Sequence, residues 1–164
     1  DLLLRKGYGW FSDQIADCLE EEYRVTHCAL ILREGYTEPY VLHSLSNEQV
    51  NGIFIEPLHN YLLESQQGSL VGIRIKGSKE KRAEVIREAK RLLAKKVPFD
   101  MAFNDTDTTE FYCAELMGYI FKRVYHKDLL AEKVTVLGLK AIRMRNFFNP
   151  THFEVLFNHF NSKK

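Results

Sequence analysis

The chain has 164 residues, 45% of them apolar and 27% charged, with a formal net charge of +1. That size and balance fit one globular domain around one core and exclude a disordered chain. Near-neutrality removes any global attraction to nucleic acid or anionic lipid, and no run approaches the roughly eighteen apolar residues of a membrane-crossing helix.

No repeat, low-complexity stretch or linker divides residues 1–164, which read as a single domain. The first segment, DLLLRKGYGWFSDQIADCLEEEY, starts apolar at Asp1 without a methionine or a signal-like run, as a trimmed product would. It turns at Gly7 and Gly9 and then carries Phe11, Ile15, Cys18 and Leu19 at helical spacing, with Ser12 or Asp13 as cap. Four β-type runs follow: VTHCALIL (25–32), PYVLHSL (39–45), GIFIEP (52–57) and SLVGIRI (69–75). The short gaps between them favour an antiparallel meander over βαβ units. GSKEKRAEVIREAKRLLAKKV predicts a helix with Val85, Ile86, Ala89, Leu92, Leu93 and Val97 along one side and Pro98 ending it. Asp105, Thr106, Asp107, Thr108 and Thr109 are all good N-caps, and Leu116, Tyr119, Ile120 and Val124 recur at helical spacing. A buried helix is therefore expected over about 110–127. The tail predicts a helix over about 137–147 and a last strand in THFEVLF. The class is α+β: a small antiparallel sheet with helices packed on it.

Cys113 falls in or near the first turn of the 110–127 helix. Unpaired N–H groups and the positive end of the helix dipole favour a thiolate there. Position alone is equally compatible with a packed thiol, because cysteine is among the most often buried residues. A nucleophilic cysteine needs a base to take its proton and a group to orient that base. His27 and His43 lie on two strands joined by a short turn around Glu34, Gly35 and Tyr36. A hairpin centred near Gly35 sets residue 27 about opposite residue 43, so two imidazoles stand side by side on an otherwise apolar sheet. If the Cys113 helix packs on that face, a Cys–His–His arrangement closes, its third residue holding the tautomer of the second. For either histidine alone, a satisfied structural residue is the simpler reading.

DLLLRKG, FSDQI, THCALIL, YVLHS, NGIFIEPL, VPFD and FYCAEL, in this order, resemble the YiiX/YebB-like hydrolases. These are circularly permuted papain-fold cysteine enzymes of the NlpC-type superfamily. The resemblance covers nearly all of residues 1 to 127, and THCALIL and FYCAEL are its most specific pieces. The histidine precedes the cysteine, as in permuted members, and the lecithin:retinol acyltransferase group is similar in the same way. The resemblance implies a permuted papain-like fold with Cys113 as nucleophile, His27 as general base and His43 at the third, polar position. Many relatives carry an acidic residue at that third position, and a histidine there is more like the acyltransferase side. An imidazole brings no full negative charge, so it should stabilise the imidazolium more weakly. The N–H of Cys113 is a natural oxyanion donor. Glu115, which matches the acidic residue of the family's CxEL pattern, reads as a local cap, and Asp100 as a turn residue placing the loop before the helix.

No metal or cofactor is expected. His27 and Cys28 are adjacent on a strand and point to opposite faces, and no HxxxH or CxxC spacing supplies another ligand set. His59, His126, His152 and His159 lie in polar or terminal stretches and read as solvated; Cys18 and Cys28 lie on apolar faces and read as core. Three cysteines do not make a disulfide framework. The run 79–96 carries eight Lys or Arg against three Glu, a solvated face that could also meet an anionic surface such as phospholipid headgroups. Aromatics do not interleave with these charges, which disfavours nucleic acid. Phe103, Phe111, Phe147, Phe148 and Phe153 belong mostly to the core, with those in loops flanking the Cys113 helix available to line a greasy substrate groove.

The expectation is a cysteine hydrolase or acyl-transfer enzyme cleaving an amide, ester or thioester through an acyl-enzyme on Cys113. Its substrate would be an acyl lipid or a cell-wall peptide. A stem-peptide peptidase would need an acidic or amide group in the cleft for the substrate's free amine. A non-catalytic lipid- or wall-binding module would carry an inert cysteine. The resemblance further implies a place at the cell envelope or outside the cell.

Overall fold

The strand His27–Leu32 reads HCALIL and has no polar alternation, because both of its faces are covered. The computed structural model describes residues 1–33, 35–103, 108–136 and 139–162. In chain order they form β1 (Leu2–Arg5), α1 (Trp10–Leu19), β2 (His27–Leu32), β3 (Tyr40–Ser46), β4 (Asn51–Pro57) and α2 (Leu58–Leu63). Then come β5 (Val71–Ile75), α3 (Lys79–Ala94), α4 (Cys113–Tyr125), β6 (Lys133–Val136), β7 (Leu139–Ile142), a 3-10 turn (Met144–Phe148) and β8 (Phe153–Asn158). Six strands pair antiparallel in the order β4-β3-β2-β1-β5-β8, giving the expected α+β class.

The meander holds for β2, β3 and β4, but β5 does not continue it. β1 lies between β2 and β5, so the apolar opening LLLR is a central strand with all four residues buried. Four residues are too few to show a period, which hid this strand from the sequence. The same shortness hid α2.

One face of the sheet, with Leu2, Leu4, Cys28, Leu30 and Leu42, packs against α4 and α3 through Leu116, Ile120, Val85 and Ala89. The other face, with Leu3, Ala29 and Val41, is covered by α2 through Tyr61 and Leu58. No helix among the described residues is long and apolar enough to cross a membrane.

Several helix expectations need correction. α1 is capped by Gly9 without a side-chain hydrogen bond. Ser12 lies inside it and bonds the Thr26 hydroxyl at 2.7 Å, while Asp13 pairs with Lys6. Its buried face is Ser12, Ala16 and Leu19, so Phe11 and Cys18 are exposed and Cys18 is not core. α3 stops at Ala94, four residues before Pro98, because Lys96 turns left-handed at φ 53°. Val97 is buried beyond the helix, not on it. The helix expected over 137–147 is a β6–β7 hairpin followed by the 3-10 turn, with Val134 opposite Ala141 and Lys133 opposite Ile142. The β-branched Val134 and Thr135 favour strand, and Leu137 lies outside the described residues. α4 begins at Cys113 with Tyr112 at the N-cap. Thr108 and Thr109 lie before the N-cap position, and Asp105, Thr106, Asp107 and Glu34 lie outside the described residues.

Candidate active site

Cys113 is the first residue of α4, where backbone N–H groups have no intrahelical acceptor. Glu115 fixes that start: its carboxylate accepts from the Tyr112 N–H at 3.3 Å, the local capping expected of it. Asp100 accepts from the Ala102 N–H at 2.7 Å and turns the preceding loop.

His27 opens β2 and His43 lies mid-strand in β3. The register pairs Leu30 with Leu42 and Leu32 with Tyr40, two residues away from that expected, so His27 and His43 stand diagonal rather than opposite. A slip of two preserves the face. His27 Nε2 lies 2.7 Å from His43 Nδ1, with the rings edge-on at 74°. His43 is fully buried and His27 is 8% exposed.

The face they share is not the one that receives α4. The histidines lie over α2, with the Tyr61 ring 5.5 Å from His43 and 5.9 Å from His27. Arg5, paired across the sheet with His27, stacks on the same ring at 4.1 Å and donates to the Tyr61 carbonyl and to Glu64. α4 packs on the opposite face, against Cys28, and Cys113 Sγ approaches the Thr26 carbonyl at 4.0 Å. Cys113 and His27 line the same cavity, at the end of the strand that His27 opens.

The electrostatics separate the two thiols. Cys113 is held well below the usual thiol range, most strongly by the neighbouring Cys28 thiol. Burial opposes this, and His27 assists it. Cys28 is pushed well above that range, by burial first and then by Cys113. His43 is lowered to about 4 by burial, against the pull of Glu56 and with help from His27 and Arg5. At neutral pH it is therefore an uncharged imidazole.

Sequence reasoning missed Cys28 as a neighbour of Cys113 and missed Glu56. The Glu56 carboxylate oxygen lies 3.0 Å from His43 Nε2, off the line of an in-plane N–H, so the contact is close but poorly aligned. Only the alternation of NGIFIEP, with Glu56 two residues after Phe54, could have signalled it. His59, His126 and His159 are exposed and His152 is half-buried, all away from this cluster.

A cavity of about 740 Å³ opens onto Cys113 and His27. Phe11, Ile15, Phe99, Phe103 and Met144 supply much of its wall. Phe103 thus lines it as expected, whereas Phe111, Phe147 and Phe153 are buried in the core.

A crystal structure of the metalloprotein yiiX from Escherichia coli O157:H7 superposes with a TM-score of 0.75 at 16% identity, covering 96% of this chain and 94% of that one. At that identity the likeness establishes the fold: this is an α+β, YiiX-like fold. No model of a known protein family matches the chain, and no curated protein matches it.

Proposed function

We propose that the chain is a permuted papain-like, NlpC-type cysteine hydrolase that acts on an acyl ester, thioester or amide. The observation carrying this reading is a buried Cys–His–His cluster at a helix start, opening onto a largely apolar cavity. Cys113 Sγ, as thiolate, attacks the substrate carbonyl carbon. The N–H of Cys113 is one donor for the oxyanion that forms. The bond to the leaving group breaks as His27 gives it the proton taken from the thiol, leaving a thioester on Cys113. His27 then takes a proton from water, whose oxygen attacks the thioester, and the acid departs as the thiolate is restored.

The solved YiiX structure is described as that of a metalloprotein. The residues here do not fit a metal: among the described residues no three His, Cys, Asp or Glu side chains are placed to hold one ion. The facing nitrogens of His27 and His43 are engaged with each other at 2.7 Å. No step is routed through an ion.

The size and apolar wall of the cavity support an acyl chain over a polar stem peptide. One feature favours the peptide as a second reading: Gln14 also lines the cavity and offers an amide oxygen for a free amine.

The test is the iodoacetamide alkylation rate of each cysteine, read by mass spectrometry. Cys18 is exposed and serves as an internal reference. An ordinary thiol of pKa about 8.5 is only about 0.3% thiolate at pH 6. Cys113 should outrun Cys18 there, and His27→Ala should remove the advantage. Cys113 reacting more slowly than Cys18 at every pH would sink the reading. A panel of p-nitrophenyl esters of rising acyl length then separates acyl hydrolase from peptidase.

A further inference from the structure

The chain of contacts from Cys113 through His27 and His43 does not stop at the third residue. Glu56 sits on β4, one strand further from the nucleophile, diagonal to His43 on the face covered by α2. We propose that Glu56 is a positioning residue that fixes the tautomer of His43, and with it the donor role of His27 Nε2, so that Nδ1 is the His27 atom that exchanges the proton with Cys113. The inference rests on the catalytic reading above and deepens it.

The reasoning is a proton count. His43 is neutral, so its ring carries one proton. A carboxylate only accepts, and a nitrogen lone pair set against it at 3.0 Å is repelled, so His43 Nε2 carries the hydrogen. His43 Nδ1 is then an acceptor, and the atom 2.7 Å away, His27 Nε2, must be the donor. With Nε2 taken up as a donor, Nδ1 is the His27 nitrogen left to exchange a proton with Cys113. Were His43 to hold its proton on Nδ1 instead, it would donate to His27 Nε2. His27 would then keep its proton on Nδ1, and the base atom would be lost. No other partner of the pair makes this choice. Arg5 is a cation, Tyr61 is held protonated with its hydroxyl donating to the Leu3 carbonyl, and Cys28 and Cys113 lie at the far end of the chain. Glu64 is taken up by Arg5.

The first measurement is direct: a long-range 1H–15N spectrum of the wild-type protein at neutral pH, which distinguishes Nδ1–H from Nε2–H imidazoles. Hydrogen on Nε2 is expected for both His27 and His43; hydrogen on Nδ1 of His43 overturns the assignment whatever Cys113 does. The second uses Glu56→Gln and Glu56→Leu, each checked for folding by thermal melting. Gln keeps an acceptor oxygen and should keep the tautomers. Leu removes it and should move the Cys113 alkylation profile up by about one pH unit, about a tenfold loss of rate near pH 6, with the rate at high pH unchanged. A folded Glu56→Leu protein with an unmoved profile and unmoved tautomers also overturns the role. A wild-type Cys113 that is inert while the tautomers stand as described would instead refute the catalytic function and leave the arrangement intact.

Discussion

Lowering the pH should destabilise the fold through His43 before the carboxylates begin to titrate. Its imidazole is lowered to about 4 in the folded protein, chiefly by burial, against about 6.5 in an unfolded chain. Between those values the unfolded chain binds the extra proton, so stability rises with pH across the window. The contribution is fully present above the unfolded value and is lost as pH falls through it towards the folded one. Applying the linkage relation to that one group gives a loss of about 2 kcal/mol between pH 7 and pH 5, and about 3 kcal/mol by pH 4. Urea unfolding at half-unit pH steps between 5 and 7 measures this as a falling midpoint. Other groups contribute to the same window, including the N-terminus, lowered to about 6, and His152. The comparison with His43→Gln isolates the term: the variant is less stable at pH 7 but should lose most of the slope. Equal slopes in the two proteins would mean that the His43 cavity admits a charge, and the neutral tautomer argued for it would fall.

Two further outcomes follow from neighbouring contacts. Cys28→Ala removes the strongest influence holding the Cys113 thiol low, so alkylation of Cys113 near pH 6 should slow by about tenfold while His27 is untouched; an unchanged rate would assign the activation to His27 alone. Gly52 has φ +125°, and a Cβ there would stand 2.3 Å from the Val97 carbonyl oxygen, a backbone atom that cannot swing aside. Gly52→Ala should therefore cost about 2–4 kcal/mol, read as a fall in thermal midpoint, and a midpoint within a degree of wild type would mean that this strand start is loose.

The parts of the fold legible in the sequence were those with a repeated physical signal. HCALIL, YVLHSL and GIFIEP each declare a strand, and Leu116, Ile120 and Val124 declare the buried side of α4. The pairing of His27 with His43 survived an error in register, because a two-residue slip returns every side chain to its own face. The face of the sheet that receives α4 was not legible, since both faces of β2 are apolar and nothing in HCALIL ranks them. That is also why Cys28 read as mere core. Cys18 misled for the opposite reason. On α1 the buried stripe includes Ser12, which is satisfied by Thr26, and the more apolar Phe11 and Cys18 face outward beside the cavity. A hydrophobic period locates the core side of a helix only where the rest of its surface faces water.

The histidine at the third position carries an expectation that the geometry alters. An imidazole in place of a carboxylate should stabilise a protonated His27 less, because it lacks charge. A carboxylate in direct contact, at about 4 Å, would contribute about 4 kcal/mol at an effective dielectric of about 20. Glu56 stands one ring further away, beyond His43, and at about twice the separation the same relation gives about half as much. About half of the direct attraction therefore persists, relayed across a neutral ring that also supplies an acceptor at 2.7 Å. The Cys28 thiol acts on the other partner, favouring the Cys113 thiolate directly. Cys113 and His27 thus lie between a buried thiol on one side of the sheet and a carboxylate on the other, at the strand start that His27 occupies.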